Sequence, residues 1–420
     1  MKNKLVLSFV LLLIAFSSLR AQNSTNSPYT RWGYGELADP SYGAQKAMGG
    51  IGIGVSESHM INPMNPASFS KVDSMTFMLD MAVSGQLSWY DDGYNKSDDV
   101  NGKVEYVALQ FPLYKRLGMG LGFKPVSYVG YKYGEIDNDN NSIVFSGNGG
   151  LNQLYGALSY GFKQLSVGVN VGYIFGNIYH TEQATFSNAA TYPYLKSDSL
   201  SISGFSFDIG LQYTQPLGKD YKLVVGAVYT PKMRINGDYS GTEITYNSSG
   251  YIQSIDMLPS RSSDCDMPEV YAAGVSFSKN EKYMIGLDYA YEKWEDVQFE
   301  GVTGAFQNRS KINFGGEFIP NARSRNYFNK IRLRAGANYA DSYMAPVAVY
   351  DDKAHSFNEY SVTCGLGFPL TGGRSMLNVA FEYANTKPKN DVPGLINEKY
   401  FKFTLSYTFN EMWFFKRKVQ

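Results

Sequence analysis

The final strand-length stretch of the chain constrains its fold most. From Tyr400 to Phe409 it reads YFKFTLSYTF, so Phe401, Phe403, Leu405, Tyr407 and Phe409 alternate with Lys402, Thr404, Ser406 and Thr408. Successive side chains of an extended strand point to opposite sides, which gives this segment one apolar and one polar face. The pattern recurs from residue 75 onward. Leu165, Val167, Val169, Val171, Tyr173 and Phe175 oppose Ser166, Gly168, Asn170 and Gly172. Phe205, Phe207, Ile209, Leu211 and Tyr213 oppose Ser206, Asp208, Gly210 and Gln212, and Tyr283, Ile285, Leu287, Tyr289 and Tyr291 oppose Asp288 and Glu292. Ile331, Leu333, Ala335, Ala337 and Tyr339 oppose Arg332, Arg334 and Asn338. Such repetition predicts an all-β fold, a transmembrane antiparallel β-barrel of about 14 strands with lipid outside and polar groups inside. A charge on the lipid face near the midplane costs roughly 2–4 kcal/mol, and in these segments the charges keep off that face. A one-residue slip would expose all of them, so the pattern fixes the register.

Composition agrees. With 420 residues, 44% of them hydrophobic, the chain is too polar for a bundle of membrane helices but long enough for one large barrel. Thirty-four Tyr and 26 Phe suit aromatic girdles at two membrane–water boundaries. Lys+Arg and Asp+Glu are both 38, so no basic surplus points to nucleic acid. A soluble sandwich also alternates, but it turns its apolar faces toward each other and seldom rims them with so many tyrosines.

Strands are expected near 75–90, 103–113, 118–132, 151–162, 165–179, 199–216, 221–235, 268–279, 282–299, 309–320, 331–343, 357–370, 375–386 and 399–409. Alternate connections are short (YKRLG, KQ, GKD, NEK, TGGRS), although NARSRNYFNK is longer. The others are expected to be long polar loops, at 91–102, 133–150, 180–198, 236–267 and 344–356. Short periplasmic turns and longer outer loops are the habit of outer-membrane barrels. An even strand count places both termini in the periplasm.

The chain opens like an export signal, with Lys2 and Lys4 before an apolar run to Phe16 and small residues near Ala21. Residues 1–21 are therefore read as a signal peptide, with no apolar run of roughly 18 residues after it to form a membrane helix. Residues 22–74, rich in Gly, Pro, Asn and Ser, are read as a plug or hatch. The barrel covers 75–409, and a periplasmic tail, 410–420, carries Trp413, Phe414 and Phe415.

The block AMGGIGIGVSESHMINPMNPASF resembles the plug region of FadL-type outer-membrane transporters of hydrophobic compounds, including the TodX-like importers. Those proteins carry a Gly-rich stretch and then Asn-Pro-Ala before the first strand, matched here by Asn65, Pro66 and Ala67. PEVYAAGVSFSKNEKYMIGLDYAYEKW (Pro268–Trp294) and RLRAGANYADS (Arg332–Ser342) are further matches. The Asn62-Pro63-Met64-Asn65-Pro66 doublet and the tail beyond Phe409 depart from the family's pattern. The resemblance implies a fourteen-stranded barrel with a periplasmic plug in a Gram-negative outer membrane. It also implies a kinked third strand that opens a gap in the wall, through which substrates pass sideways into the bilayer. Some members serve protein secretion instead.

A barrel this wide leaks unless something fills it. Gly49, Gly50, Gly52 and Gly54 would let a plug's backbone pack closely, and with Asn65, Pro66 and Ala67 they form the expected hatch; a static plug is the alternative. Pro125 inside strand three removes a ladder hydrogen bond and marks a bulge or kink, the expected lateral exit. Asp208, Arg332, Arg334 and Glu382 are expected to form a polar network in the lumen that holds the plug. The glycine run lacks G-x-G-x-x-G and G-K-[ST], so it is no nucleotide loop. His355 beside Asp351 and Asp352 is the one thread toward a rim enzyme, and a solvated loop is the plainer reading. His180 and Glu182 are two ligands, too few for a metal site. Cys265, read as lying in a polar loop, and Cys364, on an apolar strand face, are not expected to pair.

The expected function is passive uptake of a small hydrophobic molecule, such as a fatty acid or aromatic compound. Lumen binding, hatch movement and lateral exit would follow in order. The expected protein is a monomer that is not an enzyme, needs no cofactor or metal, and has outer-membrane lipid as its surroundings. The alternative is an outer-membrane interaction protein, a shuttle or scaffold for protein secretion to the cell surface.

Overall fold

The structure, a computed structural model, describes residues 24–412 apart from 137–138, 189, 248, 281, 347–352, 371–373 and 391–393. The expected signal peptide, Asp351, Asp352 and the tail from Trp413 lie outside the described residues. Among the described residues, fourteen antiparallel strands form one closed wall. They are β1 (Thr76–Asp91), β2 (Lys96–Tyr114), β3 (Leu117–Ile136), β4 (Ser142–Phe162), β5 (Leu165–Thr185) and β6 (Tyr194–Leu217). Next come β7, broken into Tyr221–Thr230 and Met233–Tyr246, and β8, broken into Ile252–Met267 and Glu269–Lys279. The remainder are β9 (Tyr283–Lys293), β10 (Arg309–Phe318), β11 (Arg332–Asp341), β12 (Phe357–Pro369), β13 (Met376–Pro388) and β14 (Asn397–Met412). β14 closes on β1 in a continuous ladder from Asn397↔Asp91 to Met412↔Thr76. No edge remains along that seam to template pairing with another chain.

Alternation sets the two faces. Leu165, Val167, Val171, Tyr173 and Phe175 are exposed on the outside of β5, while Ser166 and Asn170 are buried on its inside. Tyrosines rim the apolar belt. Tyr229 stands opposite Tyr271, and Tyr339 opposite Tyr360, on its upper border. Tyr160, Tyr213 and Tyr221 stand near the short turns. An apolar surface this extensive needs hydrocarbon to cover it.

The strands differ in length, and that corrects one expectation. β3 to β6 run 20 to 24 residues, whereas β9, β10 and β11 have 10 or 11. A tilted membrane strand needs about 9–11 residues. The long strands therefore overshoot the bilayer, and the stretches 133–150, 180–198 and 236–267, read as loops, are mostly strand. Their faces are inverted, which hid them. The inversion reaches into the expected strand 199–216 on β6, where the outer face changes from Ser199, Ser201 and Ser203 to Phe205, Phe207 and Ile209, while the inner face changes from Leu200 and Ile202 to Ser206 and Asp208. Above the belt, water bathes the outside and an apolar core forms within. Val129, Leu151, Ile178, Leu200, Ile202 and Ile235 pack there with Tyr34, Trp294, Phe306 and Tyr343. Cys265 belongs to this core rather than to a polar loop, and Cys364 is exposed on β12; both are free thiols.

Candidate functional site

The segment before β1 packs against inner faces around the wall, and two features of its sequence explain how. It has little regular structure, 3₁₀ turns at Pro28–Arg31, Gly43–Met48 and Pro66–Lys71 and a two-residue strand at Glu36–Leu37, so its backbone polar groups need partners from the barrel. It also meets glycines there. A Cβ on Gly226 of β7 would lie 2.0 Å from the Ile53 carbonyl oxygen, and one on Gly168 of β5 2.3 Å from the Pro66 carbonyl carbon. Side chains at either place would push the segment off the wall.

The residues expected to form the hatch make defined contacts. Gly49 and Gly50 adopt left-handed φ of 63° and 78°, and Gly49 donates its N–H to Thr363 Oγ1 at 2.8 Å. Gly52 and Ile53 donate to Asp288 Oδ2 on β9 at 2.6 and 2.8 Å, and Gly54 approaches Oδ1 at 3.4 Å. Three successive amides around one carboxylate form a nest with charge-assisted bonds. Asn65 caps the turn that Pro66 and Ala67 begin, its Oδ1 accepting from the Ala67 N–H at 3.0 Å. Its Nδ2 donates to the Ile53 carbonyl at 2.9 Å and to the Leu211 carbonyl of β6 at 3.0 Å.

The expected lumen network divides into separate sites. Arg332 and Arg334 meet on Glu317, with Nη1 of Arg332 2.6 Å from Oε1 and Nε of Arg334 2.8 Å from Oε2. Arg334 also donates to Asn378 at 2.7 Å. Asp208 stands elsewhere, accepting from Asn170 and Thr230 at 2.7 Å each, and Glu382 accepts from Tyr400 at 3.2 Å. The ion pairs that join the leading segment to the wall are different ones. Lys46 contacts Glu105 at 3.1 Å, and Lys402 meets the same carboxylate at 2.9 Å. Asp39 lies 3.5 Å from Lys46 and 3.6 Å from Lys311. Burial alone would raise the Asp39 carboxyl, but Lys46 and Lys311 hold it well below the usual range. At the short-turn end, Arg332 donates to His59 Nε2 at 3.0 Å. Burial first, and Arg332 second, lower this imidazole to about 4, so it is neutral there at pH 7. Alternation marked Arg332, Arg334 and Asp288 as inward residues, but nothing local in the sequence named their partners.

One stretch of wall is incomplete. The β2–β3 ladder runs from Tyr114↔Leu117 to Val107↔Phe123 and ends there among the described residues. β2 continues against β1 as far as Lys96, and β3 continues against β4 to Ile136. Just beyond that end, the ladder on the other side of β3, with β4, shifts register between Pro125 and Ser127, where proline offers no N–H to a neighbour. The leading segment bridges the two strands. Glu36 and Leu37 pair with Tyr128 and Ser127 on β3, and the Ala38 N–H donates to the Val126 carbonyl at 2.9 Å. Thr30 Oγ1 donates to the Gly130 carbonyl at 3.0 Å and accepts its N–H at 3.1 Å. On the β2 side Asn26 donates to Asp99 and Asn101, and Lys103 lies 3.9 Å from Glu36 with its ammonium 4.0 Å from the centre of the Tyr128 ring.

Remaining threads lead elsewhere. His355 is buried, and its backbone N–H donates to the Pro346 carbonyl at 3.1 Å, while its acidic neighbours lie outside the described residues. His180 Nδ1 is 2.6 Å from the Tyr131 hydroxyl, and Glu182 accepts from Tyr194 at 2.5 Å. No group of three metal-ligating side chains gathers among the described residues.

A closed fourteen-stranded barrel, with its own leading segment bonded to the inner wall, is the class that fold and site define. The chain belongs to the BamG family, whose model matches residues 1–420. None of the curated proteins matches it. Among solved structures it is similar to the P. putida toluene transporter TodX (TM-score 0.61, 16% identity, 90% of this chain and 99% of that one). It is also similar to a Pseudomonas aeruginosa FadL homologue (0.59, 14%, 89% and 99%) and to the Ralstonia pickettii toluene transporter TbuX (0.57, 14%, 88% and 98%). The expected FadL-type resemblance therefore holds for the fold, and the family that matches by sequence is BamG.

Proposed function

We propose that this protein is a barrel of a Gram-negative-type outer membrane that passes small hydrophobic molecules between its lumen and the bilayer. The observation that carries this reading is the unpaired stretch between β2 and β3, covered by hydrogen bonds from residues 26–38 of the leading segment. A hydrophobic molecule gains roughly 25 cal/mol per Å² of apolar surface on leaving water for lipid, so a sideways route needs no other driving force. The similar folds of TodX and TbuX, which are toluene transporters, support it. In this reading residues 22–74 are the hatch, Pro125 marks the lateral exit, and the protein works as a monomer without a cofactor.

A cysteine pair tests the reading. Leu37 and Ser127 are ladder partners, and opposed antiparallel residues have Cα atoms about 4.5–5.5 Å apart, within disulfide range. Oxidised L37C/S127C should stop uptake of a monoaromatic or fatty-acid probe into proteoliposomes, and reduction should restore it. Equal uptake in both states would remove lateral passage.

The alternative, a scaffold for secreted proteins, also has an observation in its favour. The hairpin of β7 and β8 rises beyond the apolar belt with Met257 84% and Tyr251 73% exposed. Leu195, Ile244 and Ile255 form one cross-strand row there. Such residues serve a protein partner better than water, and the matching family, BamG, is not that of the transporters it resembles in shape. Photo-crosslinking from position 257 in cells decides this: a single stoichiometric protein adduct supports the scaffold, and none removes it.

A further inference from the structure

We propose that a chamber beside the wall gap binds the ammonium head of a cationic amphiphile, which deepens the lateral-passage reading and rests on it. The chamber has a volume of about 120 Å³ and lies between the leading segment and the inner faces of β1 and β10 to β14. Three carboxylates line it, from Glu36, Glu359 and Glu398, together with the rings of Tyr29, Tyr400 and Phe357. Carboxylates and aromatic rings together are the recognition chemistry of an organic ammonium.

The three carboxylates outnumber the cations set against them. Arg309 lines the chamber and lies 3.5 Å from Glu359, and it also holds Glu292 at 3.0 Å. Glu398 accepts from the Ser27 hydroxyl at 2.5 Å, a neutral partner. Glu36 accepts from Thr25 Oγ1 at 2.7 Å, and its nearest cation, Lys103, is 3.9 Å away. Lys399 is also a lining residue, but it alternates with inward Glu398 and Tyr400 and pairs with outward Trp89. A second observation is independent of charge. Ser361 also lines the chamber, is only 4% exposed, and has an Oγ without a hydrogen-bond partner. An unsatisfied buried hydroxyl carries a desolvation cost that a bound ligand or its water would relieve.

Size and position define the rest of the ligand. A cavity of about 150 Å³ holds one benzene, so this chamber takes a head group of trimethylammonium size and no chain. Glu36 belongs both to the chamber and to the two-residue ladder that covers the gap. A head seated at Glu36 thus lies against the segment that covers the gap between β2 and β3.

The test uses the full barrel purified in a nonionic polyoxyethylene detergent, with binding measured by calorimetry. Decyltrimethylammonium should bind at least about tenfold more tightly than decyl maltoside, the return expected for one charge-assisted contact. E398Q and E36Q should each remove most of that preference, with the thermal transition of the barrel retained. Tetramethylammonium, which has no tail, should compete. Equal affinity for the two decyl compounds, or a preference unchanged in both variants, overturns the proposal. If equal affinities coincide with a block by the L37C/S127C disulfide, head-group selection falls and lateral passage stands. If tetramethylammonium binds while that disulfide leaves uptake intact, the chamber stands and lateral passage falls.

Discussion

Asp288 on β9 and Gly52 in the leading segment are joined by a 2.6 Å hydrogen bond from the Gly52 amide to a carboxylate oxygen. Ile53 and Gly54 turn their amides to the same group. Asp288→Asn keeps the shape but removes the charge, and bonds to charged groups contribute about 1.5–3 kcal/mol. Amides 50–56 should then exchange faster with deuterium while the strand ladders keep their protection. Unchanged exchange in that window would show that the carboxylate does not hold the segment.

Close approach gives a second expectation. Gly226→Ala places a methyl group 2.0 Å from the Ile53 carbonyl oxygen, whereas Gly85→Ala meets nothing within 4 Å. Overpacking typically costs about 1–3 kcal/mol. The first variant should unfold at lower denaturant concentration, and the second should stay close to the parent. Equal midpoints would count against a tightly seated segment.

Glu317 serves two arginines, one of them, Arg334, nearly inaccessible. Removing one partner of a buried ion pair costs about 3–5 kcal/mol because the remaining charge has no compensation. Glu317→Gln should therefore lower the thermal midpoint markedly, and adding Arg334→Met should recover part of the loss. A single variant as stable as the parent would contradict this arrangement.

His59 predicts a pH response. Its folded-state value of about 4 lies below the ordinary imidazole value of about 6.5, so the unfolded state binds the proton more readily. Stability is therefore highest above about pH 6.5 and falls as the pH drops toward 4, with the sign set by the greater proton uptake of the unfolded state. Proteolysis of the 56–60 region should speed up between pH 7 and pH 5 in the parent and change less in His59→Gln. An identical pH response in both would exclude this imidazole.

Much of the fold was legible because strand alternation is local. Phe205 and Asp208 declare their faces from two-residue periodicity alone, and Pro125 marks a break in the ladder because proline has no N–H. The reading failed where the solvent changed. Above the belt Asp238 and Ser240 face water and Tyr239 packs against a core, the reverse of the lipid rule, so that stretch looked like a loop. Pairings such as Lys46 with Glu105 were illegible, since closure of the wall fixes which distant inward residues meet.

By itself, then, the sequence determined a lipid-facing barrel, its approximate strand count and a glycine-rich segment able to lie close against backbone. Only the tertiary structure decided that Asp288 receives three amides, that Glu317 joins the two arginines, and that Glu36 and Leu37 cover the open edge of β3. The physical reason is range. Period-two burial is written within a few consecutive residues, whereas each of these contacts depends on a register accumulated around fourteen strands.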